Sequence, residues 1–282
     1  EVVLDNITVD KFYSGPSEYD FYSRDLLDKS LIGTSAIAIM KYDKCIINNC
    51  TTCNVSREIF WCVPNNNPLN ITYFTNNKSY FSSANGSDSF FTILDGRCIV
   101  KNNVVYNYNG SAFNAFCYDS EISNNKFVDG KRSIAIDLSE GTMYRAKNVY
   151  IHDNECFNSK GLVSAYGDNI RINNNRWSSE LNNSSDGRCT IITINTRGAR
   201  IPNGQYVGSD NNPQQDMGSF NIHIVNNVFN YSTDEKIINV RGAVLYGNEI
   251  VYKNNKMCGL EAPMVEFVEG NKDYQFSNYQ IN

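Results

Sequence analysis

Three acids fall at similar distances beyond a recurring asparagine pair. Asp119 lies 16 residues after Asn103, Glu140 lies 15 after Asn125, and Asp168 lies 14 after Asn154. If those asparagines stack, carboxylates on adjacent turns stand about 5 Å apart and those on alternate turns about 10 Å apart. Crowded carboxylates keep one of their number protonated, which sets an acid beside a base. Alternation adds a fourth acid. Ile134, Ile136 and Leu138 face inward, so Asp137 faces out. Following repeats set Ser164 or Tyr166 beside it, then Asn195 and Arg197, then Asn239 and Arg241, then Glu266. A turn-rich stack of acids also suits calcium or plain hydration, and no motif for any other cofactor stands out.

Other reactive side chains point less clearly to chemistry. His152 stands two residues before its asparagine mark and His223 four before, so the two do not share a row. Both read as solvated strand histidines. Cys50 and Cys53 form a CxxC, but no second CxxC follows at zinc-site distance. Cys98 and Cys156 fall at positions that should point into a core. Nine cysteines without a disulfide framework are expected to be free thiols, and free thiols imply folding in a reducing cytosol. A net charge of -5 argues against a nucleic-acid partner. No apolar run is long enough to insert into a membrane. The chain begins at Glu1 rather than Met, which suggests a fragment of a longer protein.

The elements that must position these residues announce themselves by repetition. The phrase apolar, any, apolar, any, Asn, Asn, any, apolar occurs in whole or in part at Ile46–Asn49, Val100–Asn103, Ile122–Phe127 and Val149–Cys156, where Asp153 replaces the first Asn. It returns at Ile170–Trp177, Ile222–Phe229 and Ile250–Met257. Between second asparagines the intervals are 22, 29, 21 and 28 residues, with two long gaps, 49 to 103 and 175 to 227. Each long gap holds two turns, or one turn with a large insertion. Alternation sends Ile122, Ile151, Ile172, Ile224 and Tyr252 to one inner face. Beyond the turn, Val105, Phe127, Cys156, Trp177, Phe229 and Met257 form a second inner column. The marked asparagines should hydrogen-bond one another up the axis. A further strand follows in most repeats, as at 133–138, 161–166, 191–195 and 237–241. Segments 14–34, 55–88 and 178–220 read as excursions. Trp61, Phe60 and Tyr73 fall in the second of these. The expected fold is all-β, one right-handed parallel β-helix over residues 1–282 with long loop insertions.

The Ile-x-Ile-x-Asn-Asn-x-Phe phrase resembles the right-handed β-helix of the pectin-lyase-like superfamily, and especially bacteriophage tailspike and depolymerase domains, over residues 35–282. That resemblance implies a homotrimer on a virion, assembled in a host cytoplasm, with a bacterial surface polysaccharide as partner. It also implies endo-acting hydrolysis by paired carboxylates, with a polysaccharide lyase or a non-catalytic adhesin as alternatives. On this reading Asp137, Glu140 and Asp168 are the catalytic candidates. Arg145, Arg197, Arg241 and Asn195 contact the sugar, and Tyr166 stacks beneath a ring.

Overall fold

The computed structural model describes residues 1–11, 35–55, 58–81, 89–108, 110–130, 134–138, 146–179, 189–194, 219–231, 240–245, 247–258, 265–267, 274–277 and 280–281. Within them the chain forms 28 short strands and no helix. Strands pair in parallel from each turn to the next. One full turn shows the plan: Gly161–Ala165 lies on a first face, Gly167–Asn173 on a second, and Arg176–Ser179 on a third. The third face is a sheet of ten strands. The other two are continuous with one another, because the strand Phe113–Ser123 runs around the corner between them. The architecture is a parallel β-helix, as the repeat requires.

The inner columns form as alternation dictates. Ile47, Phe74, Val100, Ile122, Ile151, Ile172, Ile224 and Tyr252 are register partners up the second face, and all are buried. Val105, Phe127, Cys156, Trp177, Phe229 and Met257 do the same on the third. Each large side chain so buried contributes about 1.5–3 kcal/mol relative to an exposed one. Cys45, Cys50, Cys53, Cys62, Cys98, Cys117, Cys156 and Cys258 are free, and Cys98 and Cys156 lie in this core.

Between these two faces the chain turns on the asparagine pair. The first residue sits in the left-handed region, with φ near 58° at Asn102, 54° at Asn124, 53° at Asp153 and 55° at Asn174. Asn and Asp enter that region at least cost among residues that carry a β-carbon. The second residue turns inward. Asn103 Nδ2 donates to Asn125 Oδ1, Asn125 to Asn154 and Asn154 to Asn175, each at 2.9 Å. Asn175 donates to Asn227 at 3.0 Å and Asn227 to Asn255 at 2.9 Å.

The register corrects two expectations and decides between the alternatives for each long gap. Asn48 pairs with Thr75, so Cys50 rather than Asn49 holds the ladder position, and the Cys50 amide donates to Asn77 Oδ1. Asn76 and Asn77 form a further copy of the turn, which makes the first long gap two turns. The second long gap is a single turn, since Gly167–Asn173 pairs directly with Ser219–Val225. The described part of segment 55–88 is no excursion. It carries the strands Phe60–Val63, Ile71–Thr75 and Lys78–Phe81, one complete turn of the helix. Segments 12–34, 180–188 and 195–218 lie outside the described residues.

Candidate functional site

Asp137 occupies an outward position, between the inward Ile136 and Leu138, yet it is only 8% exposed. Its true row runs Trp61, Thr92, Asn114, Asp137, Ser164, Thr193, Val244, Glu266. Ser164 and Glu266 are the expected neighbours. Thr193 and Val244 stand where Asn195 or Arg197 and Asn239 or Arg241 were expected. Arg241 pairs with Thr190, three positions upstream. Asp168 is not in this row. It lies on the second face, in register with Lys147 and Phe220. Asp119 does not align with Asp168 either. Asn148 Nδ2 donates to Asp119 Oδ1 at 2.7 Å, and Asn169 Nδ2 to Asn148 Oδ1 at 2.8 Å, so Asp119 begins a short outer amide ladder. Tyr166 is 3% exposed at the corner between faces and offers no open platform for a ring. Gly167 follows it because a β-carbon there would sit 1.9 Å from the Ala146 carbonyl oxygen. Glu140, Arg145, Asn195 and Arg197 lie outside the described residues.

A second buried acid lies lower on the same face. Glu58, 6% exposed, lies just before the strand Phe60–Val63. Thr92 Oγ1 donates to its Oε1 at 3.3 Å, so the carboxylate reaches up one turn. Ser111 Oγ donates to Asp137 Oδ2 at 3.5 Å, so the Asp137 carboxylate reaches down one turn. Ser89 ties the middle together, its Oγ donating to the Ser111 carbonyl at 2.9 Å. The two acids start three turns apart. Glu58 and Asp137 are thus each hydrogen-bonded toward the two turns that lie between them. Thr92, Asp137 and Ser164 are buried, whereas Trp61, Ser111 and Asn114 are half-buried and open the row to solvent. Trp61, at the lower end, is thus a face residue rather than part of an irregular excursion.

The second face carries a cluster that residue spacing did not reveal. His152 Nε2 meets Glu121 Oε1 at 2.9 Å, and His152 Nδ1 meets Asp153 Oδ2 at 2.6 Å. Lys101 Nζ lies 2.7 Å from the same Glu121 oxygen, Ser123 Oγ donates to it at 3.0 Å, and Tyr150 stacks on the imidazole at 4.0 Å. The histidine side chain is 15% exposed, so it is not the solvated residue expected. Both ring nitrogens are engaged, which makes His152 a staple across three turns rather than an open base. His223 lies in the neighbouring row, beside Arg171, and burial together with that guanidinium lowers its pKa.

Glu121 gives this cluster a pH dependence. Burial alone would raise its carboxyl, but hydrogen bonds from Lys101, His152 and Ser123 outweigh it and hold the group below the usual carboxylate range. A depressed folded-state pKa stabilises the fold above the unfolded value, near 4.3, and that gain disappears as pH falls through the folded value. Urea unfolding midpoints should therefore decline between about pH 5 and pH 3. Glu121→Gln should flatten that decline; equal slopes in both proteins would remove the assigned role.

Neither the family models nor the curated proteins compared with this chain contain a match. Fold and site therefore define the class on their own: a parallel β-helix whose first face carries two buried acids, Asp137 in a polar row and Glu58 beside it.

Proposed function

We propose that this β-helix is a tailspike-like protein that binds a bacterial surface polysaccharide and hydrolyses its internal glycosidic bonds, with Glu58 and Asp137 as the acid pair. The observation that carries this reading is that the first face buries two acids whose carboxyl groups are hydrogen-bonded toward the turns between them, Glu58 by Thr92 and Asp137 by Ser111, and glycosidases cut with a pair of carboxyl groups. One carboxylic acid gives its proton to the glycosidic oxygen as the C–O bond breaks. The other takes a proton from the water that bonds to the anomeric carbon. Trp61, in the same row, offers a ring against which a sugar can pack. Lateral packing of three copies would cover open coil surface, which favours a homotrimer.

The test is incubation with capsule or cell-wall polysaccharide, following reducing ends and ultraviolet absorbance together. Reducing ends without new absorbance support hydrolysis. Both signals together mean elimination and overturn it. A second reading, recognition without cleavage, is favoured by how thoroughly Glu58 and Asp137 are covered, since such a pair also serves to bind adjacent turns. Polysaccharide retained but never cut would establish that reading.

A further inference from the structure

The third face carries a different outward pattern. Tyr80, Tyr106, Val128 and Phe157 are register partners on successive turns, followed by Ser178 and Asn230. On a solvated sheet such positions usually hold small polar or charged residues. Here Tyr80 is 41% exposed and stacks on the half-buried Tyr106 at 4.8 Å with 5° between the rings. Two residues away runs a second outward row, Lys78, Val104, Lys126, Glu155, Arg176, Val228. Lys126, Glu155 and Arg176 are exposed, and none of them forms an ion pair among the described residues. Between the two rows lies a depression of about 310 Å³, with Phe157 and Val228 on its apolar side and Lys126, Arg176, Ser178 and Asn230 supplying hydrogen-bond donors.

We infer that this strip is a binding site for an acidic polysaccharide lying along the helix axis, distinct from the row on the first face. A pyranose presents apolar C–H faces and a rim of hydroxyls, which matches aromatic and aliphatic side chains flanked by donors and an acceptor. Lys126 and Arg176 hold carboxylate or sulfate groups of the glycan by charge-assisted hydrogen bonds, and Glu155 between them accepts from hydroxyls. Strand spacing sets side chains of successive turns about 4.8 Å apart, so a chain laid along the axis meets Lys126, Glu155 and Arg176 one after another. The cations outnumber the acid in this row, which selects an acidic chain over a neutral one. The inference rests on the reading of the protein as glycan-binding and extends it to a second surface and a charge class.

Affinity electrophoresis in gels cast with alginate, hyaluronan or dextran tests it. The full chain should be retarded by alginate or hyaluronan, less by dextran, and less as salt is raised. Tyr106→Ser and Arg176→Ala, at outward positions on different turns, should each weaken retardation about tenfold, the ratio that 1.4 kcal/mol corresponds to. Sedimentation should show both variants in the same oligomeric state as the parent. Equal retardation of parent and variants, or no retardation by either acidic polymer, overturns the inference. So does a changed oligomeric state, because the strip is then a contact between copies. Retention without product release keeps this inference and removes the hydrolytic reading; product release without retention does the reverse.

Discussion

Asp137→Asn and Glu58→Gln are each expected to lower reducing-end production by about 10²–10⁴-fold, the contribution of one general acid or base. Both substitutions keep side-chain shape and hydrogen-bonding capacity while removing the exchangeable charge, so the parent's circular dichroism should persist. Asp168→Asn is the informative comparison. Its position on the second face, beside Lys147 and Phe220, sets it apart from the row, and its rate should stay within about threefold of the parent. If Asp168→Asn alone abolishes cleavage while Asp137→Asn and Glu58→Gln cut normally, the first-face row is not the site. The double variant should lose no more than the more damaging single one, because acid and base act in one step.

Why Glu58 escaped notice in the sequence while the asparagine ladder did not is a matter of phase. Asn124–Asn125 and its later counterparts follow strands whose last inward residues are Ile122, Ile151, Ile172, Ile224 and Tyr252, so the apolar alternation and the turn agree. In the turn ending at Asn76–Asn77 the inward residues are Thr72 and Phe74, while the outward Ile71 and Tyr73 are also apolar. The pattern there reads one residue out of step, and the copy disappears. With it went the regularity of segment 55–88, and so the places of Glu58 and Trp61.

The misplaced acids have another cause. Counting residues from an asparagine mark to Asp119, Glu140 or Asp168 assumes equal turns between the third and second faces, and those turns are unequal. From Ala165 the chain reaches the second face at Gly167 across one residue, Tyr166. From Asp137 it does not return to that face until Ala146. Equal counts therefore fall out of register: Asp119 lies beside Asn148, whereas Asp168 pairs with Lys147. Alternation within one strand survives this, which is why Asp137 was correctly read as outward. Its burial was not readable, because exposure depends on what lies over a face and not on which face a residue joins. His152 was likewise outward as expected, but its two carboxylate partners come from a different strand and from the adjoining turn.

The ladder itself predicts the largest stability loss. Asn154 Nδ2 donates to the Ile122 carbonyl and to Asn175 Oδ1, each at 2.9 Å, while its Oδ1 accepts from the Asn125 amide at 3.0 Å and from Asn125 Nδ2 at 2.9 Å. Leu is close in size, so Asn154→Leu adds little crowding but leaves two buried donors on Asn125 without an acceptor. Each such donor costs about 1–3 kcal/mol, so the variant should lose roughly 2–6 kcal/mol. Because each turn touches only its neighbours, the loss should be felt locally and should uncouple the turns on either side. Denaturant unfolding is expected to change from one transition to two, with hydrogen exchange rising first in residues 122–127 and 151–157. Asn158→Leu is the control: its amide donates to Asp129 on a half-buried outer turn rather than within the buried file, and the cost there should stay near 0.5–1.5 kcal/mol. Comparable losses in the two variants would show that the buried amide file is ornamental to the coil and that side-chain packing alone holds successive turns in register.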